Sequence, residues 1–190
     1  MVPNLKIYTG PMFSGKSTKL LHQIDRYKIA KKNIVCFKPK MDTRYTGDGF
    51  IVTHNDIHAP CHLVDTGEDL LKIFEEQNKN EEIDAIAVDE AFMIDGISDA
   101  CISLFYNKKI DILVSTIDIS ASLVPFDEIA SLLCHATYIR KCKAVCTVCG
   151  EDASYTLRKF SIDSLDGEIR VGGSDLYEPR CLMHHSNITL

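Results

Sequence analysis

The chain has 190 residues, 45% apolar and 25% charged, which is enough for one globular core with a small appendage. Its net charge of −6 gives no chain-wide positive field to draw DNA, RNA or an anionic membrane, so an anionic ligand must be caught by local geometry. No apolar run is long enough to span a bilayer and residues 2–8 are too short for the apolar part of a signal peptide, so a cytoplasmic protein is expected.

Residues 5–9 (LKIYT) read as a short strand running into a small-residue loop. Beyond Lys16, the residues Leu20, Ile24 and Tyr27 recur at helical spacing, so a helix opens directly at that loop. Residues 33–37 (NIVCF) read as a second strand, and residues 39–49 as a loop rich in turn formers. An amphipathic helix is expected from Glu68 through Phe74, then a buried strand at 83–88 (IDAIAV) ending in Asp89 and Glu90. A helix carrying Ile97, Cys101 and Leu104 follows, then strands at 110–116 and 136–139. Strands alternating with helices imply an α/β fold, a parallel sheet with helices on its faces. From about Arg140 the apolar runs shorten and cysteines cluster, so two domains are expected, 1–139 and 140–190.

The loop Gly10, Pro11, Met12, Phe13, Ser14, Gly15, Lys16, Ser17 fits G-x-x-x-x-G-K-[ST]. Glycines let the backbone curl so that its N–H groups face phosphate oxygens, and the following helix presents its positive end to the same anion. Lys16 supplies a mobile charge for the β- and γ-phosphates of ATP, and the Ser17 hydroxyl is suited to ligating Mg²⁺. The first domain is therefore expected to be a P-loop NTPase-like sheet. Asp89, closing an apolar strand, is the expected second Mg²⁺ residue, and Glu90 either activates an attacking hydroxyl or positions water. Arg44, in the loop after the second strand, is placed to neutralise charge on a transferring phosphoryl group.

Eight cysteines are many for a chain without an export signal. Cys146-x-x-Cys149 and Cys181-x-x-His184 together form a Cys₃His set for Zn²⁺. Four protein ligands leave no open position, so the metal would be structural; Cys142 and His185 are neighbouring ligand candidates, and reduced cysteine pairs or a redox C-x-x-C are the alternatives.

The runs GPMFSGKST (which includes Thr18), DTRY, VDE, CTVC, SYTLR, GGSDLY and CLMH, in that order along nearly the whole chain, closely resemble the thymidine kinase family found in human cytosol, bacteria and large DNA viruses. The resemblance implies transfer of the ATP γ-phosphate to the 5′-hydroxyl of thymidine or deoxyuridine, by a P-loop core with a small zinc-bound lasso domain, in an assembly that is commonly a homotetramer. It implies Glu90 as catalytic base, Lys16, Ser17 and Asp89 as phosphate and magnesium residues, and Asp42 and Arg44 near the reacting phosphate. Nucleoside contacts fall on Thr156, on the lasso backbone at Val171 and Gly172, and on Tyr177.

The chain departs from that family in the pocket lining. Many members follow the base with Gly-Gln-Phe-Phe or Ala-Gln-Phe-Phe; here Ala91, Phe92, Met93 and Ile94 follow it. An aromatic expected further on is Ala121, which removes packing worth on the order of 1 kcal/mol and enlarges the pocket. Met93, Ile117, Ala121 and Phe126 are the expected lining. The alternatives are a deoxynucleoside kinase with shifted pyrimidine specificity, or a P-loop nucleotide-binding regulatory protein without efficient turnover. A nucleic-acid-binding zinc ribbon is disfavoured by the acidic charge and the lack of a basic-aromatic stripe.

Overall fold

The computed structural model describes residues 2–43, 49–52, 58–159 and 171–185. In chain order its elements are β1 (Leu5–Thr9), α1 (Lys16–Ile29), β2 (Ile34–Pro39), β3 (Phe50–Val52), β4 (His58–Pro60), β5 (His62–Val64), α2 (Gly67–Asn80) and β6 (Ala85–Val88). There follow α3 (Ile97–Ser103), β7 (Asp111–Thr116), α4 (Asp127–His135), β8 (Tyr138–Lys141), β9 (Ala144–Val145), β10 (Asp152–Ala153), β11 (Tyr155–Arg158) and β12 (Tyr177–Arg180). Among the described residues no helix is long and apolar enough to cross a membrane.

Six strands form one all-parallel sheet in the order β5-β2-β6-β7-β1-β8. Side chains alternate across a strand, and β6 shows what that does here. Ala85 and Ala87 face one side; Ile86 and Val88 face the other. The small side admits α1, whose Leu20, Leu21 and Ile24 pack on Ala85, Ala87, Cys36 and Leu113. The bulky side meets Leu70 and Phe74 of α2, Ile97 and Cys101 of α3, and Ile129 and Leu132 of α4. Each such buried large side chain contributes about 1.5–3 kcal/mol. The expected α/β architecture is therefore observed.

Three features lay outside the expectation. The pair β3–β4 and the edge strand β5 have three residues each, too few for a periodic signal. The nine-residue α4, opened by Asp127 and Glu128, anchors on Ile129 and Leu132 alone. The last strand of the sheet starts at Tyr138 rather than at residue 136, because Thr137 serves as a clasp: its N–H donates to the Leu5 carbonyl at 2.9 Å, and Leu5 N–H donates to its Oγ1 at 3.0 Å.

After β8 the chain forms two antiparallel ladders, β9–β10 and β11–β12. Among the described residues, a small apolar cluster of Ala144, Cys146 and Ala153 lies there, with Cys181 packed against it.

Candidate functional site

The phosphate loop, Asp42, Asp89 and Ile117 all leave the carboxyl ends of parallel strands, where open α/β sheets bind ligands. Gly10, at φ 137°, lies so close to Cys142 that an added Cβ would sit 2.3 Å from its carbonyl oxygen. Gly15 takes φ 73° and ends the loop; α1 starts at the next residue with no side-chain cap, so its first N–H groups face the loop's concavity. Lys16 is buried and donates from Nζ to the Pro11 carbonyl at 2.8 Å, as the Ser14 hydroxyl also does at 2.8 Å.

Strand β7 separates β1 from β6, yet Ser17 Oγ donates to Asp89 Oδ1 at 3.0 Å. The alanines of β6 bring α1 down onto the sheet and make that reach possible. Next to Asp89, Glu90 is buried and takes left-handed backbone angles, φ 49°, a strain of about 1–3 kcal/mol for a residue with a Cβ. These groups wall a cleft of about 370 Å³, together with Phe13, Thr18, Lys38, Asp42 and the turn of Gly173, Ser174 and Asp175. Arg44 lies outside the described residues.

Met12 connects this cleft to a packed apolar cluster. It is buried with Ile117 and Tyr177, and Phe92, Ala121, Phe126 and Leu176 pack against the three. Ile117, Ala121, Phe126 and Tyr177 thus come together as expected. Met93 is not part of this cluster; Phe92 is, with its ring 4.9 Å from that of Phe126. A tight 3₁₀ turn at Ala91–Met93 separates the directions of successive side chains, and Phe92 N–H bonded to Thr116 Oγ1 at 3.1 Å fixes which one joins the cluster. Thr156 of β11 is buried and accepts from Met12 N–H at 3.0 Å. Val171 and Gly172 are half-buried, and a Cβ on Gly172 would lie 2.4 Å from Leu176 Cδ1. Tyr177 N–H donates to the Gly173 carbonyl at 3.0 Å, and the Arg158 guanidinium stands 5.8 Å over the Tyr177 ring. The sequence reading placed Phe92 in the altered stretch after Glu90 but not among the lining residues, and it did not single out Leu176 or Lys38.

The donor atoms of Cys146, Cys149, Cys181 and His184 all lie within 4.8 Å of one another. The Cys149 and Cys181 sulfurs are 3.8 Å apart, far beyond a disulfide bond and close to the edge of a tetrahedron around zinc. His184 Nδ1 is 3.2 Å from Cys181 Sγ and 3.9 Å from Cys146 Sγ. Burial works against ionising Cys146, but backbone N–H groups of Cys181, Val148 and Cys149 draw the thiol down to about 6, which suits a thiolate ligand. The two neighbouring candidates are occupied elsewhere: Cys142 lies against the phosphate loop, and His185 Nε2 is 3.1 Å from the Thr156 carbonyl.

The profile of the family described as "Thymidine kinase" matches residues 3–185, a span that includes the phosphate loop, the cleft, the apolar cluster and the Cys₃His cluster. The chain belongs to the thymidine kinase family. It is 34% identical over 193 aligned residues, 97% of this chain and 84% of the other, to a protein named thymidine kinase from Mycoplasma genitalium. In this member of the thymidine kinase family two donor sets of different chemistry stand apart. The Ser17 hydroxyl and the Asp89 carboxylate are hard oxygen donors that fit Mg²⁺, whereas three thiols and an imidazole fit Zn²⁺.

Proposed function

We propose that the chain transfers the γ-phosphate of ATP to the 5′-hydroxyl of thymidine or deoxyuridine, giving the 5′-monophosphate and ADP. One observation carries the reading. The buried carboxylate Glu90 lines the phosphate-loop cleft, and Met12 lines that cleft and packs in the apolar cluster beside it, so a nucleoside whose base is held at that cluster would present its hydroxyl between base and phosphate.

Lys16 would exchange the Pro11 carbonyl for β- and γ-phosphate oxygens. Ser17 and Asp89 would hold Mg²⁺, which when bound neutralises the β- and γ-phosphates. Asp42 and Arg44 are assigned to the reacting phosphate. Glu90 takes the proton as the 5′-oxygen bonds to the γ-phosphorus and the bond from that phosphorus to the β,γ-bridging oxygen breaks, releasing ADP. Much of the acceleration comes from positioning, because the transition state is loose. Phe92, Ile117 and Phe126 would pack the base, while Thr156, Tyr177 and the backbone at Val171 and Gly172 read its edge and the sugar. Cys146, Cys149, Cys181 and His184 would hold a structural Zn²⁺, which supplies folding energy to a segment with a very small apolar core.

The finer assignments rest on the family. A homotetramer in the cytoplasm is proposed, with no nucleic-acid or membrane partner and with the chain divided near residue 140 into catalytic and lasso units. The second reading, a shifted pyrimidine specificity, is favoured by Ala121 at the edge of the aromatic pair Phe92–Phe126.

The test is ADP release from Mg-ATP with thymidine, deoxyuridine, deoxycytidine and 5-substituted deoxyuridines, for wild type and Glu90→Gln. Thymidine-dependent turnover that falls by about 10²-fold or more in Glu90→Gln supports the reading. Turnover only with bulkier bases supports the shifted branch. ATP binding with no nucleoside-dependent turnover refutes both.

A further inference from the structure

We propose that Lys38 is a second phosphate-contacting cation of this site, one that engages the transferable γ-phosphate of the nucleotide; the inference rests on the kinase reading above. Lys38 lies near the end of β2, in a run that is otherwise apolar up to it: Ile34, Val35, Cys36 and Phe37 precede it. Val35 and Phe37 face the α2–α3 side and Cys36 faces α1, so alternation turns Lys38 toward the α1 side, where the phosphate loop lies. Phe37 pairs in register with Val88, and Asp89 N–H donates to the Phe37 carbonyl at 2.9 Å. Lys38 is therefore the strand neighbour of Asp89, about 4.8 Å away across the sheet.

A lysine in a central strand is costly unless an anion meets it, because its ammonium loses water without compensation. Lys38 is buried, lines the cleft, and forms no side-chain hydrogen bond or ion pair with any described residue. The other buried lysine of the cleft, Lys16, already donates to the Pro11 carbonyl. The carboxylates Asp42, Asp89, Glu90 and Asp175 line the same space, so among the described residues two ammonium groups stand against four carboxylates before any ligand enters. A γ-phosphate entering beside Asp89 and Glu90 would meet this crowd of negative charge, and Lys38, the strand neighbour of Asp89, lines the same cleft from β2. A neutral nucleoside offers it nothing comparable, and ADP lacks the group it would touch.

The experiment is calorimetric titration of the full chain with the β,γ-imido analogue of ATP and with ADP, each with Mg²⁺, for wild type, Lys38→Met and Lys38→Arg. Wild type should prefer the analogue to ADP. Lys38→Met should cut that preference by about tenfold or more while ADP affinity stays within about threefold, and Lys38→Arg should restore part of it. If Lys38→Met does not fold, Lys38→Gln serves the same comparison. A preference kept in the neutral variant, an equal loss for both nucleotides, or a wild type without the preference overturns the role of Lys38 and leaves the kinase reading intact. A wild type that binds neither nucleotide overturns the kinase reading and the role of Lys38 with it.

Discussion

Thr156 Oγ1 accepts a hydrogen bond from Met12 N–H at 3.0 Å, in a buried position and across 144 places in the sequence. One side chain of the β11–β12 ladder thus holds the backbone of the phosphate loop. His185 Nε2, 3.1 Å from the Thr156 carbonyl, ties the same residue to the segment beside the Cys₃His cluster. Thr156→Val keeps the shape and leaves a buried N–H without its acceptor, a cost of about 1–3 kcal/mol. The expected result is a lower melting temperature together with weaker Mg-ATP binding, and near-normal behaviour for Thr156→Ser. Calorimetry on the three proteins checks it; a serine variant as impaired as the valine one would count against the hydroxyl.

Gly10→Ala places a methyl group 2.3 Å from the Cys142 carbonyl oxygen at a backbone angle of φ 137°. Both the clash and the angle oppose the native loop, so a destabilisation of about 2 kcal/mol or more is expected. At this chain length that corresponds to a fall in Tm of about 4–8 °C. Differential scanning fluorimetry measures it, and a Tm unchanged from wild type would mean that the loop and Cys142 separate without cost.

Metal removal should act on one part of the molecule. Among the described residues the ladders β9–β10 and β11–β12 share a small buried apolar cluster of Ala144, Cys146 and Ala153, so a metal held by the Cys₃His cluster would contribute much of their order. A strong chelator, or Cys149→Ser, should speed amide exchange in β9–β12 while β1, β6 and β7 stay protected. Uniform protection in the chelated protein would show that the ladders hold without metal.

Asp111 sets an acid limit at the other end of the sheet. Burial alone would raise its pKa, but Tyr27 OH at 2.7 Å, Asn4 N–H at 2.7 Å and the Asn4 side chain outweigh it and hold the carboxyl below its ordinary value, helped by Lys32 at 3.7 Å. A pKa lowered on folding stabilises the native state above the ordinary carboxylate value near about 3.9, and the contribution is lost as pH falls through the folded value. Asp111→Asn should therefore be less stable than wild type by about 1–2 kcal/mol at neutral pH, with the gap closing below about pH 4. Urea unfolding across that pH range tests it; a gap that widened in acid would reverse the sign of the argument.

Much of the site was legible because its chemistry is local. The phosphate loop is a short backbone shape whose glycines, lysine and serine sit within a few residues of each other, and the two halves of the Cys₃His set carry their own ligand spacing. Strand and helix order followed from apolar periodicity wherever elements were long, as in α1 and β7, and failed for β3, β4, β5 and α4, which hold too few turns or alternations to register. What the sequence by itself determined, then, is the α/β class, the phosphate-loop motif, the four members of the Cys₃His cluster and the resemblance to a kinase family. The tertiary structure alone decided that Ser17 meets Asp89 across an intervening strand, that Phe92 rather than Met93 joins the apolar cluster, that Cys142 and His185 lie against the phosphate loop and Thr156 instead of joining the Cys₃His cluster, and that Lys38 lines the cleft. Each of these depends on which strands become neighbours and which face a side chain takes, and both are set by packing between segments far apart in the chain.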